Sequence, residues 1–506
     1  MRDRVSDAQW SQLSEFIART TGLHFPRERS ADLQRGVAGA ARELGFEDTA
    51  ACVDRLLSVP PTAAEIGILA SHLTVGETYF FREKKTFDVL SADILPELIR
   101  SRRGRGQRLR FWSAACCTGE EPYSLAILLH QALPDLEEWH VTIAATDING
   151  RFLRRAAAGT YGEWSFRDMP AWFKERYFNR TMDGRYTILP EIRRLVTFVQ
   201  LNLVEDVYPS LATETNAMDV ILCRNALMYF TPSQVRNVIR NLHHALAEDG
   251  WLVVSPSEAS HALFPQFTTV NFPGVILYRK SGAKLRMKQP WLPAPLDDAA
   301  DMVAPAIDPS SPWAPRIPVA PPMEPAPARP VEEPARPETP PSPCAVAETL
   351  YQEGRYAEAA DILLASIDRH AHEPAAFSLL ARALANQGEL TDALAWCDRW
   401  IAADKLDPAA HYLHAVVFVE RGDIERARSS LQRALYLQPD FVLAHFTLGN
   451  LARRRGKSED ADKHFANALD LLRRYQPGDQ VPEADGLTAG RLTETITAVT
   501  GMETVP

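Results

Sequence analysis

The chain has 506 residues, of which 46% are hydrophobic and 24% charged, and this composition excludes a collagen-like, wholly disordered or disulfide-stapled protein. The six cysteines lack C-x-x-C spacing, which favours a reducing compartment and argues against structural zinc. A formal net charge of −10 argues against nucleic-acid binding through the overall charge of the protein. The sequence has no run of about 18 apolar residues and no signal-peptide or transit-peptide pattern, so we expect a cytoplasmic protein without membrane insertion.

The first 90 residues predict a small helical domain. Trp10, Leu13, Phe16 and Ile17 form an apolar stripe at helical spacing behind a capping serine or aspartate. Further helical runs are expected at about 29–44, 49–58, 62–72 and 84–100.

Residues 91–280 predict an α/β domain in which apolar strands and amphipathic helices alternate. The expected strands are LRFWSAA, VTIAATDI, LVTFVQL, DVILC and GWLVVS, with Val275–Tyr278 as a possible antiparallel addition. This alternation is typical of a parallel, doubly wound sheet, whose ligands bind beyond the carboxyl ends of the strands. The arginine-rich run from Arg100 to Arg110 is interpreted as a solvated connection, with substrate steering as the alternative.

Polar residues follow the predicted strands and suggest a ligand. The loop after the first strand has a single glycine followed by Glu120 and Glu121, and these acids would repel a phosphate. Asp147 ends the second strand, where a carboxylate can accept hydrogen bonds from ribose hydroxyls. S-adenosylmethionine has a ribose, an adenine and a positive charge but no phosphate, and it therefore meets these demands.

Prolines mark the next boundary, because 18 of the 37 in the chain lie between Pro290 and Pro343. Proline removes backbone donors, and the stretch lacks apolar periodicity, so residues 281–343 predict a disordered linker. A docking site for a proline-binding partner is the alternative. A flexible linker further predicts that the two halves of the chain fold independently.

Residues 344–475 contain an internal repeat. Glycine recurs every 34 residues at 354, 388, 422 and 456, and alanine does so at 359, 393, 427 and 461. Thirty-four residues is the tetratricopeptide period, so we expect about four all-α repeats, the first one truncated. Residues 476–506 are expected to form a C-terminal cap and tail, with a capping helix at about 486–500.

Five motifs carry a family resemblance. LTVGETYFFR, WSAACCTGEEPYSLA, ATDI, LNL and CRNALMYF occur in this order, and the region around them resembles the CheR family of chemoreceptor glutamate O-methyltransferases. The resemblance covers about residues 1–280. It implies a helical domain followed by an S-adenosylmethionine-binding domain with a small antiparallel insertion at about Lys174–Gln200. Some members of that family also carry tetratricopeptide repeats.

The resemblance also implies site residues. The cofactor contacts would be made by Gly76, Thr78, Arg82, Glu121, Asp147, Asn202, Leu203, Arg224 and Asn225. Family members often have asparagine in place of Gly76, so that only a backbone contact is expected there. The adjacent Cys116 and Cys117 stand where small residues are common, and we expect no nucleophilic or redox role for them.

The implied reaction transfers a methyl group to a glutamate on a chemoreceptor cytoplasmic helix and releases S-adenosylhomocysteine. A glutamate is already ionised at neutral pH, so neither a general base nor a metal is expected. Arg82 would orient the carboxylate and Tyr229 would point its hydroxyl at the same site. The alternatives are a surface ion pair for Arg82 and simple packing for Tyr229. Four arginines of the helical domain are candidates for docking an acidic receptor helix, or else form a solvated face: Arg27, Arg29, Arg35 and Arg42.

Two other functions remain open from the sequence. The chain would act as a non-catalytic sensor or scaffold that binds S-adenosylmethionine or its product, or as a methyltransferase for another protein or a small molecule. The repeats are expected to recruit an unknown protein partner, and autoinhibition by repeats folded over the catalytic edge is the alternative.

Overall fold

The computed structural model describes residues 5–104, 106–205, 207–280, 342–366, 374–484 and 486–500. The predicted linker, 281–343, lies outside the described residues except for its last two positions. The parts on either side of it, Met1–Gly282 and Pro343–Pro506, belong to one compact unit. The two halves therefore pack together, in contrast to the independence that a flexible linker suggests. In the described ranges, no helix combines the length and apolar character needed to cross a bilayer.

In the part of the chain that the structure describes, six α-helices precede the sheet, and a π-helical stretch at Leu90–Ile94 joins the last two. They are α1 (Asp7–Thr21), α2 (Ser30–Glu43), α3 (Thr49–Ser58), α4 (Ala63–Leu73), α5 (Lys84–Val89) and α6 (Leu95–Arg102). Capping boxes start α1 at Ser6 and α4 at Thr62, where each side chain accepts a hydrogen bond from the backbone three residues on. The first four helices bury a shared core that includes Leu13 and Ile17, as the apolar stripe predicts.

The central sheet confirms the predicted α/β architecture. Its elements and those of the insertion are β1 (Arg108–Ala114), α7 (Glu120–Ala132), β2 (His140–Asp147), α8 (Gly150–Ala158), β3 (Thr160–Tyr161), α9 (Ala171–Tyr177), β4 (Phe178–Arg180), β5 (Tyr186–Ile188), α10 (Pro190–Arg193), β6 (Val196–Gln200), β7 (Met218–Cys223), α11 (Pro232–Ala245), β8 (Leu246–Val253), β9 (Thr268–Phe272) and β10 (Val275–Arg279). The strand order is β6-β2-β1-β7-β8-β10-β9, parallel through β8. β10 is antiparallel to β8 and β9, and we did not predict the edge strand β9, which has no fully buried residue.

The antiparallel insertion lies earlier than expected. β3, β5 and β4 form a separate three-stranded sheet that begins at Thr160, before the predicted Lys174. The predicted end at Gln200 was also wrong, because Val196–Gln200 is the edge strand β6 of the central sheet. The strand alternation had already placed LVTFVQL in the central sheet, so the error lies in the insertion bounds that the family resemblance implied.

The repeats form pairs of antiparallel helices. They are α12 (Pro343–Gln352), α13 (Tyr356–Ser366), α14 (Pro374–Gln387), α15 (Leu390–Ala403), α16 (Pro408–Arg421), α17 (Ile424–Leu437), α18 (Val442–Arg454) and α19 (Ser458–Leu472). A last helix, α20 (Ala489–Thr500), follows these pairs and packs against α19. The four recurring glycines adopt φ between +72° and +84° at the turn inside each pair, which is a conformation that favours glycine. The recurring alanines are buried where the paired helices cross.

Turns of the repeats pack against the amino ends of the strands. A Cβ atom on Gly388 would lie 2.9 Å from Nη2 of Arg108, which begins β1. A Cβ atom on Gly422 would lie 3.2 Å from Cγ of His140, which begins β2. These two turns therefore lie at the end of the strands opposite the predicted catalytic edge, where autoinhibition was the alternative. Arg108 is also mostly buried and Arg110 is fully buried, so the interpretation of the arginine run as solvated was wrong for these two residues.

Candidate cofactor-binding site

A pocket of about 660 Å³, including its open mouth, lies at the carboxyl ends of β1, β2, β6 and β7. Five predicted site residues line the pocket, namely Asp147, Asn202, Leu203, Asn225 and Tyr229. The strand ends thus bring together side chains that are up to 82 residues apart in the sequence.

Asp147 is the buried carboxylate of the pocket. Its Oδ2 accepts a hydrogen bond from the backbone N–H of Cys117 at 2.9 Å, and its Oδ1 accepts one from Asn149 at 2.8 Å. Burial raises the pKa of Asp147 to about 6, although the backbone donors oppose this shift. Each carboxylate oxygen can accept a further hydrogen bond, so Asp147 can take two ligand hydroxyls without losing its backbone partners.

The loop after β1 is shaped to present its backbone to Asp147. Ala115 and Cys117 adopt left-handed φ values of +63° and +52°, which are unusual for residues with side chains and concentrate at functional sites. Burial raises the pKa of the Cys117 thiol to about 12, so this thiol is protonated at neutral pH. The pair of cysteines therefore has the inert character that the sequence suggested, since the pKa of the buried Cys116 is also raised.

Asn202 is held by three hydrogen bonds. Its Nδ2 donates to the carbonyl oxygen of Thr20 at 2.9 Å and to Oε1 of Glu205 at 3.0 Å, and its Oδ1 accepts from Val204 N at 3.3 Å. The residue is only 1% exposed. These contacts fix the orientation of the amide at the pocket wall.

The helical domain closes one side of the pocket, which we did not predict. Thr21 and Leu23, at the end of α1, line the pocket together with Thr74 after α4. Asn149 Nδ2 donates to Thr74 Oγ1 at 2.8 Å and ties the two domains together beside Asp147. Leu23, which follows α1, was the available sequence signal, but a single apolar residue does not distinguish a pocket wall from ordinary core.

Tyr229 sits between the pocket and the helical domain. Its carbonyl oxygen accepts a hydrogen bond from His24 N at 2.7 Å, and its ring lies 5.3 Å from the guanidinium carbon of Arg29. It also packs against the helical core. The position of Tyr229 is therefore compatible with both the functional and the packing roles considered above.

Three other predicted residues, Glu121, Arg224 and Arg82, form a second cluster next to the pocket. Arg224, adjacent to the pocket residue Asn225, donates from Nη1 to Glu121 Oε2 at 2.9 Å and from Nη2 to the carbonyl oxygen of Arg82 at 2.5 Å. Glu83 Oε2 lies 2.9 Å from the same Nη2. Burial lowers the pKa of Arg224, but the carboxylates of Glu121 and Glu83 outweigh this and hold it above its usual value. This arginine is therefore charged and fixed.

Gly76, Thr78 and Arg82 lie on the segment that leads into this cluster rather than among the pocket-lining residues. A Cβ atom on Gly76 would lie 2.8 Å from Cζ of Phe152, an aromatic residue of the pocket wall. The absence of a side chain at Gly76 thus leaves room for the Phe152 ring. The guanidinium of Arg82 donates to the carbonyl oxygen of Glu77 at 2.6 Å and is partly exposed.

The charges of the site suit a cationic ligand that carries hydroxyls. Asp147, Glu121 and Glu83 place three carboxyl groups in or beside the pocket, against the buried cation of Arg224. Glu120 and Glu121 start α7, so that acids occupy the helix end where a phosphate would otherwise bind. The residues present therefore fit S-adenosylmethionine better than a nucleotide cofactor.

Comparisons with known proteins agree with this geometry. Residues 76–274 match the family described as CheR methyltransferase, SAM binding domain, and residues 345–408 and 412–480 match a tetratricopeptide repeat family. Chemotaxis protein methyltransferase 2 of Vibrio cholerae is 30% identical over 268 residues, which are 53% of this chain and 91% of that protein. Chemotaxis protein methyltransferase 1 of Pseudomonas aeruginosa is 32% identical over 54% of this chain and 98% of its own length.

A third relative spans both halves of the chain. The probable biofilm formation methyltransferase WspC of Pseudomonas aeruginosa is 28% identical over 438 residues, which cover 86% of this chain and 92% of that protein. The resemblance seen in the motifs is thereby confirmed, and so is the expectation of an enzyme. This chain belongs to the CheR family of S-adenosylmethionine-dependent methyltransferases and carries C-terminal tetratricopeptide repeats.

Proposed function

We propose that this enzyme methylates glutamate side chains of chemoreceptor cytoplasmic helices and forms glutamate methyl esters and S-adenosylhomocysteine. The observation that carries the proposal is the set of titratable side chains in the pocket. Among the described residues that line it, these are Cys117, Asp147 and Tyr229. The Cys117 thiol is protonated at neutral pH, and both carboxylate oxygens of Asp147 accept backbone hydrogen bonds.

In this proposal Asp147 is engaged by the ribose hydroxyls, so the described pocket residues offer no other carboxylate as a general base, and this favours an acceptor that is already ionised. An unperturbed glutamate titrates near 4.3 and is a carboxylate at neutral pH, whereas a lysine amine or a serine hydroxyl must lose a proton during transfer. The names of two relatives, chemotaxis protein methyltransferases, support a chemoreceptor as the protein that carries the glutamate.

The residues of the chain take distinct roles in this proposal. S-adenosylmethionine, when bound, supplies an electrophilic methyl group on a sulfonium cation. Asp147 accepts hydrogen bonds from the ribose hydroxyls, while Asn202, Leu203 and Asn225 shape the wall around the ligand. Arg224 fixes the segment of Arg82 through the carbonyl oxygen of that residue. The guanidinium of Arg82 then orients the incoming carboxylate by charge-assisted hydrogen bonds, and the hydroxyl of Tyr229 acts on the same carboxylate.

The repeats are proposed to recruit a protein partner from the same signalling system. Every residue that lines the pocket lies between Thr21 and Phe230, so the described repeats leave its mouth free. Our proposed domains are residues 1–90, 91–280, 281–343, 344–475 and 476–506, as expected from the sequence.

Mass spectrometry tests the proposed acceptor. The full chain is incubated with S-adenosylmethionine and a chemoreceptor cytoplasmic fragment, and the modified peptides are sequenced, with Asp147→Asn, which should bind the cofactor more weakly, as the matched variant. We expect the added methyl group on glutamate side chains. Methylated lysines would point to a different protein methyltransferase, and binding without any transfer would support the sensor or scaffold.

A further inference from the structure

The segment between β6 and β7 joins the pocket to the repeats. Its first residues, Asn202 and Leu203, line the pocket. Further along, Leu211 is 6% exposed and belongs to the hydrophobic core of the repeats, away from the cores of the α/β domain. This segment of the catalytic domain therefore begins at the pocket and continues into the hydrophobic core of the repeats.

Polar contacts hold the later part of this segment on the repeats. Glu214 forms an ion pair with Arg454 of α18, and Asn216 Nδ2 donates to Glu420 Oε1 at 2.8 Å. Glu214 adopts a left-handed φ of +57°. A residue other than glycine keeps this conformation only where neighbouring groups stabilise it, and Arg454 of the repeats is one of those groups.

The terminal helix α20 holds the first part of the segment. Nε of Arg491 donates to Glu205 Oε2 at 3.2 Å, and its Nη2 donates to Glu205 Oε1. Nη1 of the same guanidinium donates to Glu494 Oε2 at 3.1 Å. The Arg491 side chain is 15% exposed, and its pair of bonds to one carboxylate fixes the direction of that carboxylate.

Glu205 connects Arg491 to the pocket by hydrogen bonds. Its Oε1 accepts both from Arg491 and from Nδ2 of Asn202, the buried amide at the pocket wall. Arg491 is therefore linked to the pocket residue Asn202 through one intermediate side chain, that of Glu205. α20 also packs against α8 and β6, the two elements that carry Phe152 and the approach to Asn202.

We infer that the repeat module braces the cofactor pocket from within the same chain, and that Arg491 is a positioning residue for cofactor binding through Glu205 and Asn202. This inference rests on the proposed assignment of the pocket to S-adenosylmethionine. Loss of the arginine frees Glu205 to turn toward solvent and leaves Asn202 with one partner fewer. The expected cost falls on binding, since neither Arg491 nor Glu205 reaches the reacting atoms.

Calorimetry with S-adenosylhomocysteine on the full chain tests the inference. Arg491→Gln and Glu205→Gln should each weaken binding by roughly 3- to 30-fold, the usual range for a residue that couples to a site without touching its ligand. The double variant should be no weaker than the worse single variant, because both changes interrupt one path. Arg491→Lys should recover part of the affinity. The control is Arg455→Gln, which removes an arginine from an exposed pair with Glu425 on the repeats and should bind as the wild type does.

Steady-state kinetics distinguish a specific loss of cofactor affinity from a general loss of folded enzyme. The KM for S-adenosylmethionine should rise in Arg491→Gln while kcat at saturation is unchanged. The inference is overturned if a folded Arg491→Gln binds within about twofold of wild type, or if its losses simply add to those of Glu205→Gln. Should Arg491→Gln fail to fold, a folded Glu205→Gln with normal affinity overturns it equally. A wild-type chain that binds no S-adenosylhomocysteine refutes the pocket assignment itself.

Discussion

Arg108, the first residue of β1, places Nη1 3.2 Å from Oε2 of Glu420 on α16, and both side chains are buried, at 11% and 2% exposure. The same carboxylate lies 3.8 Å from Nη1 of Arg110 and accepts a hydrogen bond from Asn216. Glu420 is thus a carboxylate of the repeats that neutralises cations at the base of the catalytic sheet. Burial lowers the pKa of Arg108, and Glu420 opposes that shift.

Removal of Glu420 should destabilise the whole chain. Glu420→Ala leaves Arg108 and Arg110 buried without their carboxylate, and breaking one side of a buried pair costs about 3–5 kcal/mol. Urea unfolding followed by circular dichroism measures the change. Glu425→Ala removes an exposed glutamate of the neighbouring helix and should have a much smaller effect. Equal stability of the two variants would mean that the buried pair contributes nothing.

Cofactor affinity should depend on the ionisation of Asp147. Because the pKa of Asp147 is about 6, the carboxylate gains a proton as pH falls through 6 and loses both charge and acceptor capacity. Binding of S-adenosylhomocysteine, measured by calorimetry from pH 5 to 8, should therefore weaken below pH 6 and level off above pH 7.

Asp147→Asn should remove this pH dependence and weaken binding at pH 7.5 by about 1.5–3 kcal/mol, the scale of hydrogen bonds to a charged group. The control is Asp183→Asn in the insertion, since the Thr181 hydroxyl and Arg185 hold the pKa of Asp183 at about 2, outside the tested window. An Asp147→Asn protein with wild-type affinity would exclude the ribose assignment.

Arg82→Ala should separate chemistry from binding. The backbone carbonyl of Arg82, which accepts from Arg224, is retained in the variant, so affinity for S-adenosylhomocysteine should change little. The turnover rate should fall by roughly 10- to 100-fold, because the lost guanidinium acts on the incoming carboxylate. Single-turnover rates and calorimetry distinguish the two effects. Arg103→Ala, in an exposed pair with Asp135, is the matched control. A parallel loss of affinity and rate would make Arg82 a cofactor residue alone.

Tyr229→Phe isolates the hydroxyl from the ring. The phenylalanine keeps the packing against the helical domain, so the thermal midpoint should be close to that of wild type. Transfer should slow by about tenfold if the hydroxyl contacts the reacting groups, which corresponds to one net hydrogen bond. Steady-state rates with the receptor fragment measure this effect. Full activity in the variant would leave Tyr229 with its packing role only.

The sequence predicted those features that rest on local patterns. The 34-residue recurrence of glycine and alanine identified the repeats, since each residue type has a fixed place in a helical pair. Asp147 was found because it ends an apolar strand, and the ends of parallel strands meet at one edge. The architecture of the central sheet followed from the same alternation.

Long-range contacts were not predictable in this way. Arg108 and Glu420 are 312 residues apart, and no local period relates them. One signal was present, because Arg110 stands between the apolar residues Leu109 and Phe111 in a strand of a doubly covered sheet. A cation at such a position is buried and requires a partner, but the sequence does not say that a repeat supplies it. The contact between Arg491 and Glu205 likewise depends on where α20 docks.

Release of methanol tests the central claim most directly. The full chain is incubated with methyl-labelled S-adenosylmethionine and membranes that hold the native chemoreceptors, and the washed product is treated with base. Because a carboxyl ester hydrolyses in base whereas an N-methyl group does not, we predict that the label is released as volatile methanol, and that Asp147→Asn gives a greatly reduced yield. Label that stays on the protein after base treatment would contradict the assignment of this chain as a protein-glutamate methyltransferase, and equal labelling by the variant would contradict the role of Asp147 in cofactor binding.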